Sequence, residues 1–226
     1  MQRPLPNRLF YSACHVLVRL LAATFFQIRC DGRQHIPASG GALVCANHQS
    51  NLDPMLIGLA SDRPLNFLAR RTLFGFAPFR WLSETLNAIP VDRDGFSFSG
   101  MRTAVQRLRA GEVVVVFPEG TRTRDGEVAS LKPGVSLLIR RAAVPLIPIG
   151  IAGAYEAWPR SRRLPRPTPM HVCIGAPLAP EQTATLSDEE LVGELERRLR
   201  ACHASARAAR RAMMGRLDRG AVAQRA

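Results

Sequence analysis

The segment Asn47-His48-Gln49-Ser50-Asn51-Leu52-Asp53-Pro54 sets an imidazole five residues ahead of a carboxylate. Histidine is the side chain whose ordinary proton affinity lies nearest neutrality, and a carboxylate on one ring nitrogen fixes the tautomer and steadies the protonated ring. The two together suit a general base. Within one continuous helix a five-residue separation puts about 140° between side chains, so the pair can meet only if a loop intervenes. The flanking residues supply one. Ala42-Leu43-Val44-Cys45-Ala46 is an uncharged apolar run of strand length, and Asp53-Pro54 reads as the N-cap and first helical residue of a helix through Met55-Leu56-Ile57-Gly58-Leu59-Ala60, since proline's missing N–H costs nothing there. His48 is therefore expected at a strand's carboxyl end, where open α/β sheets bind ligands. An Asp53 that only caps its helix, beside an ordinary loop histidine, is the competing reading.

A second segment bears on that choice. Glu112 precedes Val113-Val114-Val115-Val116-Phe117, an apolar, β-branched run that suits a strand covered on both faces of a parallel sheet. The chain then turns polar. Pro118-Glu119-Gly120-Thr121-Arg122-Thr123-Arg124 brings a carboxylate, a glycine, hydroxyls and guanidiniums to the strand's end. Guanidinium binds phosphate or carboxylate through paired hydrogen bonds, so the group suits an anionic, hydroxyl-bearing substrate. A solvated turn with a chance charge cluster explains this segment taken alone. Two such segments at neighbouring strand ends weigh against chance.

These residues resemble the glycerolipid acyltransferases of the lysophosphatidic acid acyltransferase type, a family with four ordered blocks. Asn47-His48 through Asp53 looks like the catalytic histidine and aspartate block, and Ala88-Ile89-Pro90-Val91-Asp92-Arg93 looks like the second block with its arginine. Phe117 to Arg124 resembles the third, phosphate-binding block, and Val144-Pro145-Leu146-Ile147-Pro148-Ile149 resembles the fourth. The chain departs from the family pattern at Arg70-Arg71, where a lysine is common, and at Leu131-Lys132-Pro133-Gly134, where leucine replaces an aromatic. Lys132 is the only lysine in the chain. A local need for a compact ammonium and chance survival in an arginine-biased composition both account for it.

The resemblance implies a reaction. His48, steadied by Asp53, would take the proton from the free hydroxyl of lysophosphatidate, whose oxygen attacks an acyl thioester of coenzyme A or acyl carrier protein. Phosphatidate would form without a covalent acyl-enzyme, in phospholipid synthesis. Arg93, Arg122 and Lys132 would hold the acceptor phosphate, with Glu119, Gly120 and Thr121 orienting them or the glycerol backbone. No cofactor beyond the thioester co-substrate is expected. Another lysolipid, such as a lyso-ornithine lipid, is the alternative acceptor. A hydrolase built on His48 and Asp53 lacks a recognisable nucleophile, and a non-enzymatic basic protein binding a membrane surface or nucleic acid is the remaining alternative.

Composition sets wider bounds. A chain of 226 residues, 46% of them hydrophobic, fits one domain with appendages. Cys14, Cys30, Cys45, Cys173 and Cys202 are odd in number and contain no C-x-x-C pair, which argues against a disulfide framework or zinc site and fits a reducing compartment. The histidines, His15, His35, His48, His171 and His203, show no metal-ligand spacing. Neither a G-x-S-x-G elbow, a Walker loop nor a G-x-G-x-x-G motif occurs.

The net charge of +13 is unevenly placed, for Arg197 to Ala226 holds nine arginines and one aspartate. Ser187 and Glu190 read as a capping box opening a helix with Leu191, Leu195, Leu199 and Cys202 on one face. Beyond it, Arg207-Ala208-Ala209-Arg210-Arg211 lacks apolar partners and is expected to fray into a basic tail over residues 206–226. Such a tail suits anionic lipid headgroups; nucleic acid is disfavoured, because few aromatics interleave with the arginines. At the other end, Leu9 to Phe26 is mostly apolar and, if helical, about 27 Å long, marginal against a bilayer core of about 30 Å. His15 and Arg19 interrupt it, so residues 1–30 are read as a helix lying in the membrane interface. The expected location is the cytoplasmic face of the cell membrane, peripheral or monotopic.

The fold expected for residues 31–205 is a single α/β acyltransferase domain with a mostly parallel mixed sheet flanked by helices. Further strands are expected at Phe67 to Ala69, Ala88 to Val91, Leu146 to Ile149 and Val172 to Ile174, and helices at Phe98 to Arg109 and Gly134 to Arg141. Arg160 to Pro169 is expected to be loop, since its prolines cannot donate to a ladder.

Overall fold

The computed structural model describes residues 26–70, 89–91 and 98–223. Residues 9–25 of the expected interfacial helix, Leu9 to Phe26, and Ala88, Asp92 and Arg93 of the second block, lie outside the described residues. Strands β1 (Ile28–Asp31), β2 (Ala42–Ala46), β3 (Leu65–Arg70), β4 (Ile89–Val91), β5 (Val113–Val116), β6 (Leu146–Ala152) and β7 (Met170–Ile174) form one sheet. Its order is β1-β7-β6-β2-β5-β3-β4. Every neighbouring pair is parallel except β6 with β7. Helices α1 (Asp53–Ala60), α2 (Phe98–Arg109), α3 (Gly134–Ala142), α4 (Ala154–Ala157), α5 (Pro180–Ala184) and α6 (Asp188–Ala223) surround it.

The strand pleat explains why both faces are apolar. Leu43, Cys45, Val114, Val116 and Leu146 point to a face covered by α2, α3 and α6, through Ala104, Leu108, Leu138, Leu191, Leu195 and Leu199. Their alternates Ala42, Val44, Val113, Val115, Ile147, Ile149 and Ile151 pack with Leu56 and Ile57 of α1 and with Ala154 and Ala157 of α4. Runs of buried apolar residues without alternation are what a sheet covered on both faces requires. The crossover α2 occupies the expected Phe98–Arg109 and joins β4 to β5. Among the described residues, no helix is long and apolar enough to cross a membrane.

The expected basic tail is a correction. The capping box of Ser187 and Glu190 opens α6 as expected, with Ser187 N–H donating to the Glu190 carboxylate at 2.7 Å. The helix then continues without a break to Ala223. Ala206 and Met213 are buried, so the apolar stripe persists in small and flexible side chains. Arg210 donates to the Pro169 carbonyl at 2.8 Å and pairs with Glu156, and Arg207 pairs with Glu127. The folded body thus runs past both expected boundaries, 31 and 205. The close seat of α6 on β6 needs Gly150, where a Cβ would fall 2.2 Å from the backbone of Cys202 and His203.

Candidate active site

The buried apolar strand β2 ends at Ala46, and the next residues tie the loop down one by one. Asn47 takes both roles against β6: its amide donates to the Ile151 carbonyl at 3.1 Å and accepts from Ile151 N–H at 2.7 Å. Gln49 donates to the Gly126 carbonyl at 2.7 Å, accepts from Tyr155 N–H at 3.3 Å and lies 3.1 Å from His203 Nε2. Ser50 Oγ donates to the Trp158 carbonyl at 2.8 Å. Of the side chains from Asn47 to Ser50, His48 alone stays partly exposed, at 21%.

Its ring is held on two sides. His48 Nδ1 lies 2.7 Å from Asp53 Oδ2, so Nδ1 carries the proton and Nε2 presents a lone pair. Among the described residues no partner engages Nε2. Phe117 stacks on the ring, with centroids 4.1 Å apart and planes 18° from parallel. Asp53 is fully buried, and its Oδ2 also accepts from Gln49 N–H at 2.6 Å and Ser50 N–H at 2.8 Å. The N-cap of α1 is Leu52, with Asp53 already inside the helix. The expectation of Asp53 as N-cap is corrected accordingly: its carboxylate turns back onto the preceding loop instead of onto the helix's own amides.

The turn after β5 is bonded to the same loop. Glu119 is almost fully buried, accepting from His48 N–H at 2.8 Å through one oxygen and from Ala129 N–H at 3.0 Å through the other. Burial drives its carboxyl up to about 7, against the lowering effect of those two bonds. Thr123 N–H donates to the His48 carbonyl at 2.8 Å. Gly120 turns the chain at φ 71, and the Lys132 side chain runs past it, with Cγ 3.5 Å from where a Cβ would stand. Thr121 is exposed and Arg122 half-buried, one residue from the contact to His48. The arrangement joins a base with a free lone pair to a turn bearing cations, at one edge of the sheet.

A family model described as Acyltransferase matches residues 27–152, more than half of the chain. The chain belongs to the Acyltransferase family. Over 184 residues the acyltransferase is 26% identical to a protein of Bacillus subtilis named 1-acyl-sn-glycerol-3-phosphate acyltransferase, spanning 80% of this chain and 88% of that one. A Pseudomonas aeruginosa protein of the same name is 28% identical over 189 residues, covering 82% of this chain and 70% of its own. The crystal structure of the 1-acyl-sn-glycerophosphate (LPA) acyltransferase PlsC from Thermotoga maritima matches with a TM-score of 0.77 at 26% identity. That match covers 92% of this chain and 85% of the other.

In the acyltransferase the described site residues lie in three places: His48 and Asp53 in the loop after β2 and the first residue of α1, Glu119, Gly120, Thr121 and Arg122 in the turn after β5, and Lys132 just ahead of α3. Glu119, expected to orient the cations or the glycerol backbone, accepts one backbone amide on each of its oxygens. Asn47, Gln49, Ser50 and Phe117 were not singled out from the sequence as functional residues. A run of polar residues wedged between an apolar strand and an apolar helix is the signal that marks the first three, since buried polar groups need partners.

Proposed function

We propose that the protein transfers a fatty acyl group from an acyl thioester, acyl-coenzyme A or acyl carrier protein, to the free hydroxyl of lysophosphatidate. The observation that carries this reading is the His48 Nδ1 to Asp53 Oδ2 contact of 2.7 Å, which leaves Nε2 open on a loop bonded to Glu119 and Thr123 of the turn after β5. The names of the relatives in Bacillus subtilis and Pseudomonas aeruginosa support the acceptor.

In the proposed step His48 Nε2 takes the hydroxyl proton as the oxygen attacks the thioester carbonyl. The tetrahedral intermediate collapses by breaking the carbon–sulfur bond, and the departing thiolate takes the proton back from the imidazolium. Positioned proton transfer of this kind contributes roughly 100- to 10,000-fold. Arg122, Lys132 and Arg93 hold the acceptor phosphate, Thr121 meets the glycerol side, and Glu119 fixes the backbone of His48. The apolar N-terminal segment, Leu9 to Phe26, would hold the enzyme at the cytoplasmic face of the membrane, where the acceptor resides.

The test combines purified protein, lysophosphatidate and a series of acyl thioesters, with products identified by mass spectrometry. Phosphatidate formed only when all three are present is the expected result. Acyl release to water at the same rate without acceptor would replace the transferase reading with a hydrolase.

A further inference from the structure

Arg200, His203, Ala204, Arg207 and Arg211 recur at the spacing that keeps residues on one helix face. On α6 they form one wall of a cleft of about 320 Å³, closed on the other side by Glu127 and Val128. Three guanidiniums face one carboxylate across it. Arg200 is held by Glu196 at 2.7 Å and Arg207 pairs with Glu127, while Arg211 makes no ion pair among the described residues. The Arg207 and Glu127 side chains are 46% and 54% exposed, and ion pairs so open to solvent are weakly held.

The position of this cleft gives it a use. Cys202 and His203 sit over Gly150 within β6, and Arg210 lies against Gly153, just past that strand's carboxyl end. Arg207 and Arg211 therefore stand at the sheet edge that carries His48. The buried His203 lines the cleft and reaches Gln49, the residue after His48, at 3.1 Å. A thioester on a pantetheine arm places its reacting carbon far from its phosphates, so those phosphates need a cationic site beside the catalytic loop and not within it.

We infer that the cleft between α6 and Glu127-Val128 binds the phosphates of a coenzyme A thioester, the acyl donor. The inference rests on the acyl-transfer reading. Its concavity selects a compact polyanion, which can enter between the two walls and displace Glu127 from Arg207; a folded acidic carrier would need a broad, level face. Guanidiniums match phosphate oxygens in pairs, and Glu127, the carboxylate that lines the cleft, carries less charge than the ligand.

Calorimetric titration with coenzyme A, without acceptor, tests binding apart from turnover. Arg207→Ala and Arg211→Ala should each raise Kd about three- to tenfold, and the double variant more, as expected for solvent-screened charged contacts. Arg207→Lys should lose less than Arg207→Ala, and wild-type affinity should fall as salt rises. In rate assays the efficiency with acyl-coenzyme A, divided by that with an acyl-pantetheine lacking phosphate, should drop by the same factor. Equal loss with both thioesters, or an unchanged Kd for coenzyme A in folded variants, would overturn the assignment. So would variants that lose affinity only for phosphatidylglycerol vesicles, which would give the arginines to the lipid surface. Transfer from acyl carrier protein by a wild type that does not bind coenzyme A would overturn the cleft and leave the transferase reading standing. Arginine-dependent coenzyme A binding in a protein that transfers no acyl group would support the cleft and sink the reaction.

Discussion

Asp53 and Glu119 are both buried carboxylates at the carboxyl edge of the sheet, and both accept backbone N–H bonds from the loop that carries His48. Only Asp53 reaches the imidazole. Glu119 instead links the backbone of His48 to that of Ala129, bracing one loop against the other. An acid's place within a motif is thus a poor guide to its part in the reaction. The direction of its oxygens decides, and the two can be separated by experiment.

The largest effect is expected at the ring itself. His48→Ala should lower kcat by roughly 100- to 10,000-fold with little change in thermal stability, because the ring is partly exposed and makes its one polar contact with Asp53. Asp53→Asn should lower kcat by a smaller but still large factor, since an amide oxygen keeps the loop bonds but carries no charge to steady an imidazolium. Near-normal turnover of folded Asp53→Asn would reduce Asp53 to a loop fastener like Glu119, and the contrast would collapse.

The turn after β5 should answer differently, through the acceptor. Arg122→Ala is expected to cut kcat/KM for lysophosphatidate about ten- to a hundredfold, the scale of one charged hydrogen bond, with Arg122→Lys recovering part of it. Initial rates with a phosphate-free lysolipid provide the check. An equal loss with that acceptor would move Arg122 from phosphate recognition to structure.

How much of this was legible in the sequence follows from what each residue touches. The valines of β5 and the period of Phe98–Arg109, ended by Gly111, declared themselves because their partners are a generic apolar core. The His48 and Asp53 pair was legible because both ends lie in one short segment. The fastening of Asn47, Gln49 and Ser50 was not, since it uses carbonyls of Ile151, Gly126 and Trp158, 77 to 108 residues away, and a carbonyl leaves no mark on residue type. The run of α6 past 206 was missed because its buried contacts, Ala206 and Met213, are few and its polar anchors, Glu127, Glu156 and Pro169, come from distant loops. Strand β1, with Arg29 and Asp31 among its four residues, is too short and polar to read as a strand before β7 supplies its partner.

Glu119 can also be probed by its titration. Burial raises its carboxyl from an ordinary 4.5 to about 7, so the native state holds that proton more tightly than the unfolded chain. Its contribution to stability is therefore fully present below 4.5 and is lost as pH rises through 7. The stability advantage of wild type over Glu119→Gln should shrink across that window by up to about 3 kcal/mol, at 1.36 kcal/mol per unit. Chemical denaturation of both proteins from pH 5 to 8 measures it. A difference that stays flat, or grows with pH, would mean that Glu119 is ionised throughout and braces the loops as a full charge.

The smallest effect is expected at Gly120, and it tests whether the turn is set by backbone shape or by its side chains. At φ 71 the residue occupies left-handed backbone, which costs an alanine about 1–2 kcal/mol. Space is not the obstacle, because a Cβ there would meet Lys132 Cγ at 3.5 Å and Cε at 3.6 Å, ordinary contact distances. Gly120→Ala should therefore lower stability by about 1 kcal/mol while displacing Lys132 very little. The bonds from His48 N–H to Glu119 and from Thr123 N–H to the His48 carbonyl bracket the turn from outside it, so kcat should fall less than KM for lysophosphatidate rises. Thermal unfolding with a kcat and KM split separates the two. A kcat loss approaching that of His48→Ala would show that backbone strain in the turn after β5 is transmitted to the imidazole, and the two loops would have to be treated as one unit.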